Sequence, residues 1–332
     1  MTIRRAVQSA GGRSVAAPRD IRKAGTIVTS RSQSGSGRAS EPPPNAPHSG
    51  PLLLVYAHPD DETFGAAGTM TAATARSIEV TLICATRGEA GRSGIAALDT
   101  PELLGAVREQ ELRRAMAAVG VRDVRFLDYR DSGMAGWPDN DHPRALCQAS
   151  ETEVADKLVV QIRALQPATI TTFGPDGLYG HPDHLFVHRT ATTAVRLAGD
   201  PTYRPELGEA WRACAFYYST ASRERLLEFA ELPNSPFQWM EPAQRARLGT
   251  PRAEITTVID IAPYREHKQR AIAAHVTQFG EGGPLADIPT EQREAALGRE
   301  HFVRVALPWD KAGALPEDFL SALAAATPIA PA

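Results

Sequence analysis

Cysteine is scarce in this chain, with three residues, Cys84, Cys147 and Cys214, among 332. The number is odd and the spacing wide, and Cys84 and Cys214 sit in apolar runs where cysteine acts as a small core hydrophobe. A disulfide framework and a cysteine-rich zinc site are thereby excluded. Long hydrophobic runs are lacking too: none approaches the roughly 20 residues needed to cross a bilayer, and the N-terminus has no apolar block of a secretory signal. Positive charge is not in excess, the formal net charge being −3, so no surface tracking nucleic acid or an anionic membrane is expected. A complete G-x-G-x-x-G is missing as well. "GAAG" at 65–68 stands alone, and the acids before it would repel a pyrophosphate. What these absences leave is a soluble, cytoplasmic protein with a small-molecule partner.

Hydrophobic residues make up 42% of the chain, enough for a sizeable core. Residues 1–49 differ from the rest, with eight Arg or Lys against two acids and the proline-rich "EPPPNAP". Such a segment buries too little apolar surface to offset its ordering entropy, and a disordered extension is expected. Its acid-poor composition also suits a transit peptide, but no amphipathic face supports one.

From residue 50 onward, β-rich apolar runs at 52–57, 79–86, 124–129, 168–173 and 213–219 are joined, across the first four, by helical patterns. This alternation predicts an α/β, Rossmann-like fold, a mostly parallel sheet with helices on both faces and its active site at the carboxyl ends of the strands. The clearest helix opens at Pro101 after Thr100 and stops at Gly120, as capping rules require. A further strand is expected at 254–261 and a helix at 263–277, within one domain over 50–332.

The first strand runs into "AHPDDE" at 57–62, where three consecutive acids oppose folding unless something cationic joins them. The fourth strand leads through a glycine-rich loop to "YGHPDH" at 179–184. Both motifs reach the same sheet edge. His58, Asp61 and His184 together supply three neutral or anionic ligands, the number a catalytic zinc needs if one position is left for water. Asp60 and His181 then remain over, a carboxylate able to accept a proton and an imidazolium able to stabilise an oxyanion or protonate a leaving amine. One such motif alone could be a helix N-cap with a packed histidine; two at the ends of two apolar strands are harder to read as caps. His188 lacks the neighbouring glutamate of a metalloprotease helix, and His142, His267 and His301 lack any ligand spacing.

These motifs, with "TRGEAG" at 86–91, "REQEL" at 108–112, "YRDSGMAG" at 129–136 and "KQRAIAAHVTQ" at 268–278, resemble the PIG-L/LmbE-like family of zinc-dependent N-deacetylases over about residues 50 to 280. The fuller set is similar to the branch of the mycothiol-pathway deacetylase and amidase. The resemblance implies one Zn2+ on His58, Asp61 and His184, with Asp60 as general base and His181 as electrostatic or acid partner. It implies that Tyr179 and Met134 line the pocket, Tyr179 helping to stabilise the reacting carbonyl, and that Arg108 and Asp131 contact sugar hydroxyls. The expected activity is removal of an acetyl group from an N-acetylglucosaminyl conjugate. The alternatives are an amidase of the same mechanism on a thiol-sugar conjugate or antibiotic glycan, and a non-catalytic metal- or sugar-binding module. Arg92 departs from the pattern: some relatives resembling this chain carry an acid there.

Overall fold

Leu52–Tyr56 is buried at every position, as a central strand flanked by parallel neighbours must be, and forms β1. The structure, a computed structural model, describes residues 50–326 apart from 94, 96, 233, 234, 236, 238, 239, 281–288, 290–296 and 312–316. The expected extension at 1–49 lies outside the described residues.

Among the described residues six further strands follow: β2 (Val80–Cys84), β3 (Asp123–Phe126), β4 (Thr169–Phe173), β5 (Ala215–Thr220), β6 (Thr257–Asp260) and β7 (Arg299–Val305). They form one sheet in the order β3-β2-β1-β4-β5-β7-β6. β1 pairs in parallel with β2 on one side, Leu54 opposite Leu82, and with β4 on the other, Leu54 opposite Thr171. The five-stranded portion from β3 to β5 is parallel throughout, as expected. β7 has no counterpart among the predicted strands. It runs antiparallel to both β5 and β6 and separates them.

The helices are α1 (Asp61–Thr74), α2 (Pro101–Ala118), α3 (Glu151–Leu165), the short α4 (Gly177–Gly180), α5 (Pro182–Ala198), α6 (Arg223–Ala230), α7 (Pro242–Arg245), α8 (Arg265–Ala274) and α9 (Val276–Phe279), with a C-terminal helix at Phe319–Ala326. α2 matches its prediction: the Thr100 hydroxyl accepts from the Leu103 amide at 3.3 Å, Pro101 opens the helix, and the chain leaves through Gly120 at φ +81°. The helix expected at 263–277 is instead divided at His275 into α8 and α9.

Right-handed crossovers send α1 and α2 to one face and α3 and α5 to the other, because the chain steps outward from β1 to β3 and then returns across the sheet to β4 and β5. α8 packs on α1 and α2, and α3 packs on α5. Two buried cations pin this arrangement. Lys268 of α8 donates to Glu300 of β7 at 2.8 Å and to the Phe64 carbonyl of α1 at 2.8 Å. Arg163 of α3 donates to the carbonyls of Leu197, Ala198, Asp200, Tyr203, Arg204 and Gly208, gathering the end of α5 and the chain after it. The reversal of strand order between β1 and β4 is the switch point at which such sheets bind ligands.

Candidate metal centre

Both histidine-aspartate motifs arrive at that switch point. The chain leaves β1 through Ala57, His58 and Pro59 and enters α1 at Asp61; it leaves β4 through α4 and enters α5 at Pro182. Asp60 occupies the N-cap position of α1 yet caps nothing with its side chain, so helix capping does not account for the acids there. His181 is a cap, its Nδ1 accepting from the Asp183 amide at 3.1 Å.

His58, Asp61 and His184 converge. His58 Nδ1 lies 3.2 Å from His184 Nε2, and the two Asp61 oxygens lie 3.4 Å from the first and 3.2 Å from the second. All three side chains are almost wholly buried. The opposite nitrogens of the rings are already engaged: His184 Nδ1 is 3.1 Å from the Gly177 carbonyl, to which it donates, and His58 Nε2 is 3.1 Å from Asp183 and 3.3 Å from Asp131, to which it donates. Those bonds hold the two rings in place and turn His58 Nδ1, His184 Nε2 and the Asp61 carboxylate towards one another; burial is outweighed by Asp131, Asp183 and Asp61, which hold the His58 imidazole well above its usual value. Two imidazoles and a carboxylate converging on one point form a set that a divalent cation can join. The spacing suits one: donor atoms about 2.0–2.1 Å from a tetrahedral zinc lie about 3.3 Å apart.

The surroundings supply the support a ligand set requires. Asp183, fully buried, holds His58 with Oδ2, which also accepts from the Ser132 amide at 2.9 Å. Phe173 stacks on His184 with ring centroids 4.0 Å apart. His181 and Tyr179 complete the wall, the His181 ring 4.6 Å from that of His58 and the Tyr179 ring 4.9 Å from that of His184. Two further donor groups lie close together: His58 with His181 and His184, in which His181 stands in place of Asp61, and His58 with Asp131 and Asp183, which meets on the nitrogen that orients His58 rather than on the one that faces Asp61.

Electrostatics follow from the crowding of acids. Burial, opposed by Arg108 and reinforced by Asp61, pushes the Asp60 carboxyl up to about 6. Asp61 feels the same burial, but His184 and His58 hold it well below the usual carboxylate range. Burial together with the neighbouring His58 and His184 drives His181 down to about 2, so its ring is neutral, with Nδ1 taken by the Asp183 amide and Nε2 carrying the proton. Burial and the nearby Asp61 raise the Tyr179 phenol far above its usual value, which keeps its O–H a donor.

The residues expected to touch sugar have other partners within the chain. Arg108 is 3% exposed and donates to the Pro59 carbonyl at 2.7 Å, the Gly88 carbonyl at 2.8 Å and Asp60 Oδ2 at 3.2 Å. Gly88, at φ +71°, lies so close that a Cβ there would fall 2.1 Å from the guanidinium, which only glycine accommodates. Asp131 is equally buried, directed at His58 and held by the Gly133 and Ala90 amides. Met134 is half-buried on the same loop. Arg92 is exposed and lies over the Trp137 ring at 4.5 Å.

Sequence reasoning passed over Asp183, read only as a spacer between two histidines, and Glu62 and His275, which meet at 3.1 Å in full burial. The signal for Asp183 was available, since a ligating imidazole needs an acceptor on its other nitrogen. His275 stands within the "KQRAIAAHVTQ" motif, but no spacing joined it to Glu62, 213 residues away.

What the fold and the centre define together is a Rossmann-like α/β protein whose switch point holds a histidine-carboxylate site of the kind that binds a divalent cation. The sequence profile described as PIG-L, GlcNAc-PI de-N-acetylase, matches residues 53–195. A relative from Geodermatophilus obscurus, named 1D-myo-inositol 2-acetamido-2-deoxy-alpha-D-glucopyranoside deacetylase, is 37% identical over 265 residues, covering 76% of this chain and 90% of the relative. One from Catenulispora acidiphila, 1D-myo-inositol 2-acetamido-2-deoxy-alpha-D-glucopyranoside deacetylase 1, is 39% identical over 70% of this chain and 76% of its own. Among solved structures, the N,N'-diacetylchitobiose deacetylase of Pyrococcus horikoshii superposes with a TM-score of 0.57 at 19% identity, covering 79% of this chain and 87% of that one, a likeness of fold. The chain belongs to the PIG-L family. Among the described residues, no helix is long and apolar enough to cross a membrane.

Proposed function

We propose that the protein is a zinc-dependent N-deacetylase acting on an N-acetylglucosaminyl conjugate of the inositol-linked type named for its relatives. The observation that carries this reading is the convergence of His58, Asp61 and His184, whose facing ring nitrogens lie 3.2 Å apart and at 3.4 and 3.2 Å from one Asp61 oxygen each, with Asp60 beside them in the chain and His181 against His58. Two histidines and a carboxylate are a borderline donor set suited to zinc. Zinc bound there supplies a Lewis acid for the amide carbonyl and brings the pKa of water towards about 7.

The chain's own residues do the rest. Arg108 engages Oδ2 of Asp60, leaving Oδ1 to accept the proton of the attacking water. As the carbonyl carbon becomes tetrahedral, its oxygen gains negative charge, and the Nε2–H of neutral His181 and the Tyr179 hydroxyl are the donors available to it. A preorganised donor of this kind is worth roughly 3–4 kcal/mol. Asp60 then passes the proton to the departing nitrogen, so that one water and one acetamide become acetate and a free amine. In this reading Arg108 and Asp131 hold Asp60 and His58 in place through the contacts described above, and Met134 contributes to the sugar-facing wall. We place the reaction in the cytoplasm, the compartment expected from the sequence.

The test is an acetate-release assay on the zinc-loaded full chain with N-acetylglucosaminyl-inositol, N-acetylglucosamine and larger N-acyl sugar conjugates. Stoichiometric acetate and amine from the inositol conjugate are expected. Release of a larger acid alone would replace the deacetylase with an amidase, and no amine from any substrate would overturn the reading.

A further inference from the structure

Asp60 sits at φ 116°, ψ −29°, on the positive side of φ that side-chain-bearing residues rarely adopt. Such a conformation costs of order 1–3 kcal/mol and persists only where the surroundings determine it from several sides. Arg108 provides one tether, gripping both the Pro59 carbonyl and Asp60 Oδ2. The other is built from Glu62. Its Oε2 accepts the Asp60 amide at 2.9 Å, bending the carboxylate back over the start of its own helix. Its Oε1 accepts the Thr63 hydroxyl at 2.5 Å and lies 3.1 Å from His275 Nε2. Glu62, Thr63 and His275 are all fully buried.

His275 stands where α8 gives way to α9, and this break is itself anchored. The amide and hydroxyl of Thr277 donate to the two oxygens of Glu111 at 2.8 and 2.6 Å. Glu111 lies one helical turn beyond Arg108 on α2, so both tethers of Asp60 trace back to one face of one helix.

We propose that Glu62 and His275 form a positioning pair that fixes the peptide of Asp60, and through it the direction of the Asp60 carboxylate, in the deacetylation reaction. Neither touches substrate. The inference rests on the deacetylase reading for its kinetic arm and on geometry alone for its structural arm. Without His275, Glu62 is a buried carboxylate deprived of its ring partner; it turns away, the Asp60 amide loses its acceptor, and the strained peptide relaxes. A displacement of about 1 Å in a reacting group costs on the order of 10²-fold in rate.

The test uses the full-length, zinc-loaded chain and the variants His275→Ala, His275→Gln and Glu62→Gln. Hydrogen exchange taken to single-residue resolution over residues 57–65 reads the Asp60 amide. Steady-state kinetics and metal analysis follow on the same samples. In His275→Ala, exchange of that amide rises at least tenfold, kcat falls about 10- to 100-fold with KM within about twofold, and the zinc content equals that of the parent. His275→Gln, whose amide N–H reaches the place of Nε2, restores most of both losses, which a cavity-driven collapse would not allow. Unchanged exchange in His275→Ala and Glu62→Gln overturns the pair whatever the activity, as does faster exchange with an unchanged kcat. If the parent chain releases no acetate, the deacetylase reading fails, and hydrogen exchange still decides for or against the pair.

Discussion

Replacing Lys268 by Met removes a fully buried cation. Glu300 then keeps three donors, the amides of Gly68 and Thr69 at 2.8 Å and the Thr69 hydroxyl at 2.7 Å, but loses its counterion, and the Phe64 carbonyl loses the ammonium that caps it. Breaking a buried pair from one side leaves an uncompensated charge and costs about 3–5 kcal/mol. At roughly 2–4 °C per kcal/mol for a domain of this class, Tm falls by about 10 °C. The double variant Lys268→Met with Glu300→Gln is expected to recover at least about 2 kcal/mol of that loss, because the surviving partner is no longer charged. Urea unfolding followed by circular dichroism measures all four corners of the cycle. A Lys268→Met loss below about 1 kcal/mol, or strictly additive effects, would refute the claim that this pair clamps α8 and β7 onto the helix carrying Asp61.

Asp183→Asn weakens the acceptor that orients His58, so zinc affinity measured by competition with a chelator should drop about 10- to 100-fold; an unchanged affinity would remove Asp183 from the centre. Arg163→Lys should be nearly as destabilising as Arg163→Met, by at least about 3 kcal/mol, since three ammonium protons cannot serve six carbonyls; rescue by lysine would contradict the carbonyl cage. His301 is pushed down to about 4, chiefly by burial and then by Arg225, while its unfolded value is near 6.5. The unfolded chain therefore binds the extra proton first, and stability is lost as pH falls from about 6.5 to about 4, reaching about 3 kcal/mol. His301→Gln should flatten that part of the stability curve, and an identical acid limb in parent and variant would assign the loss elsewhere.

The parallel half of the sheet was legible because β1, β2 and β4 are buried on both faces and therefore read as unbroken apolar or β-branched runs. β7 was not, because its sequence REHFVRV mixes charges into a strand whose Glu300 is buried against Lys268 and whose Arg304 pairs with Asp318. Those charges look like a solvated segment until their partners are known. The convergence of His58, Asp61 and His184 followed from two motifs placed at one sheet edge, a matter of topology that strand order alone settles. The roles within the site depended on finer geometry. Only the fold shows that the peptide amide of Asp183 occupies one nitrogen of His181, or that Arg108 turns inward beneath Gly88.

The central claim, a divalent cation held between β1 and β4, is tested most directly by metal analysis of purified, active protein alongside His58→Ala, Asp61→Ala, His184→Ala and Asp60→Asn. About one zinc-like ion per chain is expected in the parent and in Asp60→Asn, with loss from each of the other three. Retention of the ion in the His58, Asp61 and His184 variants, or an active parent free of any transition metal, would contradict it.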